Sequence, residues 1–147
     1  MEAVVVTCIA EPAACDAAAE GASHVRALRV APDEVMFVAA PDAADAIVRA
    51  VTRAATSVDP DALVLDATDG WAAWTLRGGA TRPAFSRLSA LGLPGEGFVQ
   101  GDVAHVPVKV IAEPERLHLL VPAMWGGYLR ERILERCGTL GITEPAR

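Results

Sequence analysis

Two segments of this chain, V-A-P-D-E-V-M-F-V-A-A-P at 30–41 and I-A-E-P-E-R-L-H-L-L-V-P at 111–122, repeat one pattern about 81 residues apart. Each reads as a strand, a proline-acidic turn, a returning strand and a proline that opens a helix. Proline presets the first backbone angle of such a turn. It also suits the first turn of a helix, where the missing N–H has no helical partner to lose. A hairpin followed by one amphipathic helix has one sheet face to cover and one element to cover it. Two such units predict an α+β fold of antiparallel sheets with packed helices, in two related β-rich halves.

The remaining segments fit around this repeat. Val4–Ile9 is a β-branched run suited to a short strand, and 11–23 is alanine-rich, open to either a short helix or a loose connection. Strands are expected at 24–31 and 35–40. A helix follows from Pro41 to about Ala55, with Ala44, Ile47, Val48 and Val51 on one face and Asp42 and Asp45 at its positive end. Next, 63–67 and 71–77 read as two strands of a hairpin closed by Asp69-Gly70, a pair that tolerates the positive φ of a type I′ turn. Leu63, Leu65 and Ala67 share a face of the first strand. In the second, Ala72, Trp74 and Leu76 form one face and Trp71, Thr75 and Arg77 the other. Trp74 is assigned to the core, where its burial contributes roughly 1.5–3 kcal/mol. Gly78-Gly79 ends the strand. Thr81 is placed to cap a helix carrying Ala84, Phe85, Leu88 and Leu91, with Gly92 as its left-handed exit. Strands at 98–103 and 106–112 are separated at His105, and another runs over 117–121. A last helix spans 122–137 with Trp125, Leu129 and Ile133 on one side, Gly138 at its end and a polar tail at 138–147.

Size and charge narrow the function classes. A chain of 147 residues is one domain by length, taken as 1–147, and large enough for a real core. A net charge of −6 argues against nucleic acid or an anionic membrane as partner, since both require a basic face. No apolar run approaches the ~18 to 20 residues of a membrane span, and the N-terminus lacks the basic start of a signal peptide. The three cysteines, Cys8, Cys15 and Cys137, form no C-x-x-C and read as reduced thiols of a cytoplasmic protein, Cys15 the most exposed.

No set of residues assembles into a catalytic or metal-binding motif. Asp66 and Asp69 bracket Thr68 and form a candidate pair for a proton or a ligand amine, although turn chemistry accounts for Asp69. Trp71, Thr75 and Arg77 form a candidate contact face, Trp and Arg being enriched at interface hot spots; the alternative is a solvent-facing edge. Trp125 and Tyr128 on the last helix read as either core or interface; with Trp125 inward, Tyr128 lies beside that face with its hydroxyl free to reach water or a partner. His24, His105 and His118 follow no ligand spacing, and His118, alternating with leucines, reads as a hydrogen-bonded strand residue. Cys137 at a helix C-terminus is not a nucleophile. The Gly78-Gly79 pair lacks the rest of a phosphate-binding motif.

The motif order resembles the folate-binding aminomethyltransferase family, and more closely its short relative, the gamma subunit of heterotetrameric sarcosine oxidase. The resemblance is carried by A-P-D-E-V-M-F-V at 31–38, D-A-T-D-G-W-A-A-W-T-L-R-G at 66–78, G-F-V-Q-G-D-V-A-H-V-P-V-K-V at 97–110 and L-H-L-L-V-P-A-M-W-G-G-Y-L at 117–129. It covers residues 24–137 in order. It implies ferredoxin-like halves as in the aminomethyltransferase folate-binding domain. It also implies a place in a multi-subunit amine oxidase that demethylates sarcosine or a similar secondary amine, passing the one-carbon unit to tetrahydrofolate. Flavin and NAD are then expected on larger partner subunits, while this chain contributes packing. A stand-alone folate- or small-ligand-binding protein is the alternative. Gln100 occupies the position of a recurrent family glutamine, where a partner or ligand contact and a buried hydrogen bond are equal alternatives. The acidic residue that folate-dependent relatives carry after the middle helix has no counterpart in A-L-G-L-P-G-E-G at 90–97, so its role is not transferred to Glu96.

Overall fold

A computed structural model describes residues 3–143. The chain forms two compact units, whose boundary in the sequence falls between Thr68 and Asp69.

The first unit runs β1 (Val4–Ile9), α1 (Pro12–Gly21), β2 (Arg26–Ala31), β3 (Glu34–Ala39), α2 (Ala44–Thr56) and β4 (Leu63–Asp66). Its sheet has the order β2-β3-β1-β4, with every pairing antiparallel. This is the ferredoxin-like βαββαβ topology. The 11–23 segment is thus a helix, begun by Pro12 in its first turn. Val6 and Cys8 of β1, Val35 and Phe37 of β3, Ala14 and Ala18 of α1, and Ile47, Val51 and Ala55 of α2 form one core. The small faces let the helices approach closely: a Cβ at Gly21 would lie 2.8 Å from the Cβ of Ala54. Cys15 belongs to this core and is fully buried, contrary to the expected exposure, with its thiol donating to the Ala10 carbonyl.

The second unit runs β5 (Trp71–Arg77), α3 (Thr81–Ser86), β6 (Gly97–Val103), β7 (Val106–Glu113), β8 (Arg116–Pro122) and α4 (Gly126–Cys137), with sheet order β5-β8-β7-β6. Again every pairing is antiparallel. Leu76, Val108, Val110, Leu117, Leu119 and Val121 meet Ala84 and Phe85 of α3 and Leu129, Ile133 and Cys137 of α4 in its core. The repeat read in the sequence is real at this level: β2-β3 and β7-β8 each lead through a 3₁₀ turn, 41–43 and 123–125, into a helix. Matching the units on this repeat pairs β1 with β5, β2 with β7 and β3 with β8. Two differences remain. β6 is an added edge strand outside β7, and among the described residues of the second unit none stands where β4 stands beside β1.

The expected 63–77 hairpin does not form. β4 pairs with β1, placing Leu63 opposite Ile9 and Asp66 opposite Val6, whereas β5 pairs with β8. Asp69-Gly70 lies in a 3₁₀ turn over Thr68–Gly70. The reason is that the chain stays bonded to β1 beyond the strand: the Ala67 N–H donates to the Val5 carbonyl, and the Val5 N–H donates to the Thr68 hydroxyl. An Asp-Gly pair permits a primed turn but does not impose one. The left-handed hairpin turn instead joins β6 to β7 at Ala104 (φ 51°) and His105 (φ 70°), a pair without the usual glycine or asparagine.

Helix ends differ too. α3 stops at Ser86 and its N-cap position, Ala80, has no side-chain cap; Thr81 is inside the helix and buried. Ser89 redirects the chain, its hydroxyl accepting from the Leu91 N–H and donating to the Asp102 carbonyl. Leu88 and Leu91 therefore reach the core from beyond the helix, which ends at Ser86, six residues before Gly92. Trp125, left open between core and interface, is 39% exposed. Gly126 takes the inward position, because a Cβ there would come within 2.6 Å of the Ala72 Cβ. α4 does end at Cys137 with Gly138 as its cap, which keeps helical φ, and the left-handed residue falls later, at Gly141 (φ 78°). Among the described residues no helix is long and apolar enough to cross a membrane.

Candidate functional site

The candidate site is built on the second sheet, on the face opposite α3 and α4. Alternation along β5 sends Ala72, Trp74 and Leu76 toward the helices, as expected, and the Trp74 indole N–H donates to the Gly126 carbonyl at 3.0 Å. Trp71, Thr75 and Arg77 occupy the other face. The register extends this face across the sheet. Thr75 is opposite His118, which is opposite Ile111; Arg77 is opposite Arg116, which is opposite Glu113; and Lys109 is opposite Gln100 on β6. Four of the six residues singled out by the sequence, Trp71, Thr75, Arg77 and Gln100, thus share one sheet face. Asp69 is exposed in the turn that leads into β5.

The same face also carries Ile111 and Leu120, which are buried, and its polar side chains are largely paired with one another. Lys109 Nζ lies 4.9 Å from the Trp71 ring centroid, a cation–π contact. Thr75 Oγ1 is 3.0 Å from His118 Nδ1, and His118 Nε2 is 3.7 Å from Glu113 Oε1. Hydroxyl, imidazole and carboxylate follow one another as in a nucleophile relay. However, 3.7 Å exceeds hydrogen-bond reach, so the carboxylate does not complete a relay through the imidazole. The geometry fits a positioned strand residue, the role His118 has in the sequence reading. Sequence alone pointed to neither Lys109 nor Glu113, because their relation to β5 comes only through β8 and β7.

Tyr128 lies apart from this face. Its hydroxyl donates to the Ala104 carbonyl at 3.0 Å, so it is not directed to water or a partner as expected. Its ring sits edge-on to Trp125 and beneath Arg132. In the first unit, the Asp66 carboxylate accepts from both the hydroxyl and the N–H of Thr68, which holds its pKa below the usual value. Asp66 is therefore occupied by turn chemistry. Burial and the neighbouring Cys15 push the Cys8 thiol up to about 11, and burial raises Cys137; neither is a ready nucleophile. Among the described residues no group of three or more His, Cys, Asp or Glu side chains can hold a metal ion. One open groove of about 450 Å³ lies in the second unit, bounded by Leu88, Leu91, Ser89, Asp102, His105 and Arg136. Its one hydroxyl nucleophile candidate, Ser89, is committed to backbone partners.

The fold is that of an α+β protein of two antiparallel four-stranded sheets, with Trp71, Thr75, Arg77, Lys109 and His118 on one face of the second. This architecture matches a chain of the heterotetrameric sarcosine oxidase from Corynebacterium sp. U-96, solved in complex with pyrrole 2-carboxylate, at a TM-score of 0.79 and 16% identity over 98% of this chain and 84% of that one. The likeness is one of fold. More distant matches are aspartate kinase from Synechocystis (TM-score 0.52, 11% identity, 98% of this chain and 27% of that one) and the ligand-free regulatory subunit of aspartate kinase from Thermus thermophilus (TM-score 0.52, 10% identity, 92% and 91%). No protein-family model and no curated protein matches the sequence.

Proposed function

We propose that this chain is a non-catalytic, gamma-type subunit of a sarcosine-oxidase-like flavoenzyme of the cytoplasm. The observation that carries this reading is the fold likeness to a chain of a heterotetrameric sarcosine oxidase along 98% of the sequence. In this reading larger partner subunits carry flavin and NAD and oxidatively demethylate a secondary amine, and the one-carbon unit passes to tetrahydrofolate on one of them. This chain supplies a docking scaffold, with Trp71, Thr75, Arg77 and Gln100 on its contact face. Purification of the tagged chain from its native cell tests the reading. The expected product is a complex with a flavin absorption spectrum and sarcosine-dependent turnover; a flavin-free chain purified alone under mild conditions refutes it.

The groove beside the β6–β7 turn favours a second reading, a folate- or small-ligand-binding protein. Its volume falls in the range of ligand pockets, its walls are apolar at Leu88 and Leu91, and Arg136 and His105 suit an anionic tail. Calorimetric titration with tetrahydrofolate decides it: heat of binding that is lost in Arg136→Ala supports this reading, and no heat at about 1 mM ligand removes it.

A further inference from the structure

The two units differ at one strand position. In the first, β1 has β3 on one side and β4 on the other, both antiparallel. Five of its six residues are buried, Val4 at 6% exposed, Val5 1%, Val6 0%, Thr7 7% and Cys8 0%, and only Ile9 at its end is exposed. In the second, β5 takes the place of β1 but among the described residues pairs with β8 alone. Of its seven residues only Leu76 is buried; Trp71 through Thr75 are half-buried and Arg77 is exposed. An edge strand leaves the N–H and C=O of alternate residues unpaired, and proteins usually blunt such edges with bulges, prolines or charges. The β2 edge has a register shift between Arg29 and Ala31. β5 has neither bulge nor proline: all seven residues stay in register with β8.

We propose that the free edge of β5 is a strand-docking site, filled by an extended segment of a larger partner polypeptide that lies antiparallel to Trp71–Arg77 as β4 lies beside β1. Main-chain bonds supply the affinity in such an addition, and alternate side chains the specificity. Residues of the incoming strand level with Ala72, Trp74 and Leu76 extend the helix-side core and are apolar. The residue level with Arg77 is acidic. Arg77 is directly opposite Arg116, a like-charged pair that destabilises a ladder, and among the described residues neither guanidinium has an ion-pair partner. The neighbouring carboxylate of Glu113 lies toward His118 instead. A second copy of this chain is the poorer occupant: antiparallel self-pairing centred on Trp74 brings Arg77 of one copy to Trp71 of the other, whose ring already carries Lys109.

The proposal rests on the assembly reading above, and its test separates the two. Hydrogen exchange is followed at the β5 amides of the full chain, with and without the acetylated peptide Glu-Leu-Thr-Val-Thr-Leu-Thr. Alternate β5 amides are expected to slow at least about tenfold at saturating peptide. A peptide with Lys for Glu binds about fivefold more weakly, and Arg77→Glu reverses that preference. Unchanged β5 exchange at about 5 mM peptide overturns the proposal. So does β5 protection that rises with the concentration of the chain alone, since it marks a second copy on the edge. The same exchange measurement on the co-purified flavin complex completes the test. A flavin complex with unprotected β5 amides defeats this edge and leaves the assembly reading standing; absence of any flavin complex defeats the assembly reading, while the peptide result still decides the edge.

Discussion

The Tyr128 hydroxyl donates to the carbonyl of Ala104, a residue held at φ 51°, and so ties the first turn of α4 to the left-handed corner between β6 and β7. The Ala104 N–H donates in turn to the Leu88 carbonyl at 2.7 Å. Both polar groups of a strained, buried alanine are thus satisfied, one from each neighbouring segment. Tyr128→Phe removes the bond and leaves a part-buried carbonyl without its donor. The expected loss is about 1 kcal/mol, read as a lower denaturant midpoint with an unchanged slope.

His105 is exposed at φ 70°, where a side chain costs about 1–2 kcal/mol that glycine avoids. Part of that gain is returned through the freer unfolded chain. His105→Gly is therefore expected to stabilise the protein by roughly 0.5–1 kcal/mol. A thermal midpoint at or below that of the parent chain contradicts this.

Gly126 admits no side chain, since its Cβ would lie 2.6 Å from that of Ala72. Gly126→Ala is expected to cost about 1–3 kcal/mol through overpacking, despite alanine's better helix propensity. The clash is with one methyl group, so adding Ala72→Gly recovers part of the loss. A double-mutant cycle showing simple additivity would falsify this account.

The Cys8 thiol, ordinarily near 9.0, is raised to about 11 by burial and by Cys15. Between those values the unfolded chain has released a proton that the folded chain retains, so stability falls as pH rises from about 9 to about 11 and then levels. The full span amounts to roughly 3 kcal/mol. Cys8→Ala flattens this part of the stability-against-pH curve, whatever its effect at neutral pH. In native protein at pH 8 all three buried thiols are expected to resist alkylation, reacting only after denaturant is added.

Local pattern located most of the elements. β1 was legible as Val4–Ile9, α2 from the spacing of Ile47 and Val51, and the inward face of β5 from Ala72, Trp74 and Leu76. The strand-turn-strand-helix repeat needed only two proline-acidic turns and the prolines that follow. These features depend on residues within a few positions of one another, and the amino-acid order states them directly.

Pairing was decided elsewhere. Asp69-Gly70 has the chemistry of a hairpin turn, yet β4 and β5 belong to different sheets, because Val5 and Thr68, 63 residues apart, hold the first strand to β1. The hairpin corner fell instead on Ala104-His105, whose positive φ angles are sustained by Leu88 and Tyr128 rather than by the residues themselves. The contact face divides in the same way. Trp71, Thr75 and Arg77 share a face by alternation alone, a property of the order of residues. Lys109, His118, Glu113 and Arg116 joined them only through the registers of β7 and β8, and the open edge of β5 is visible only beside the filled edge of β1. Backbone periodicity is local and written in sequence; which strand lies next to which is a non-local competition for hydrogen bonds and buried area, settled by the folded chain as a whole.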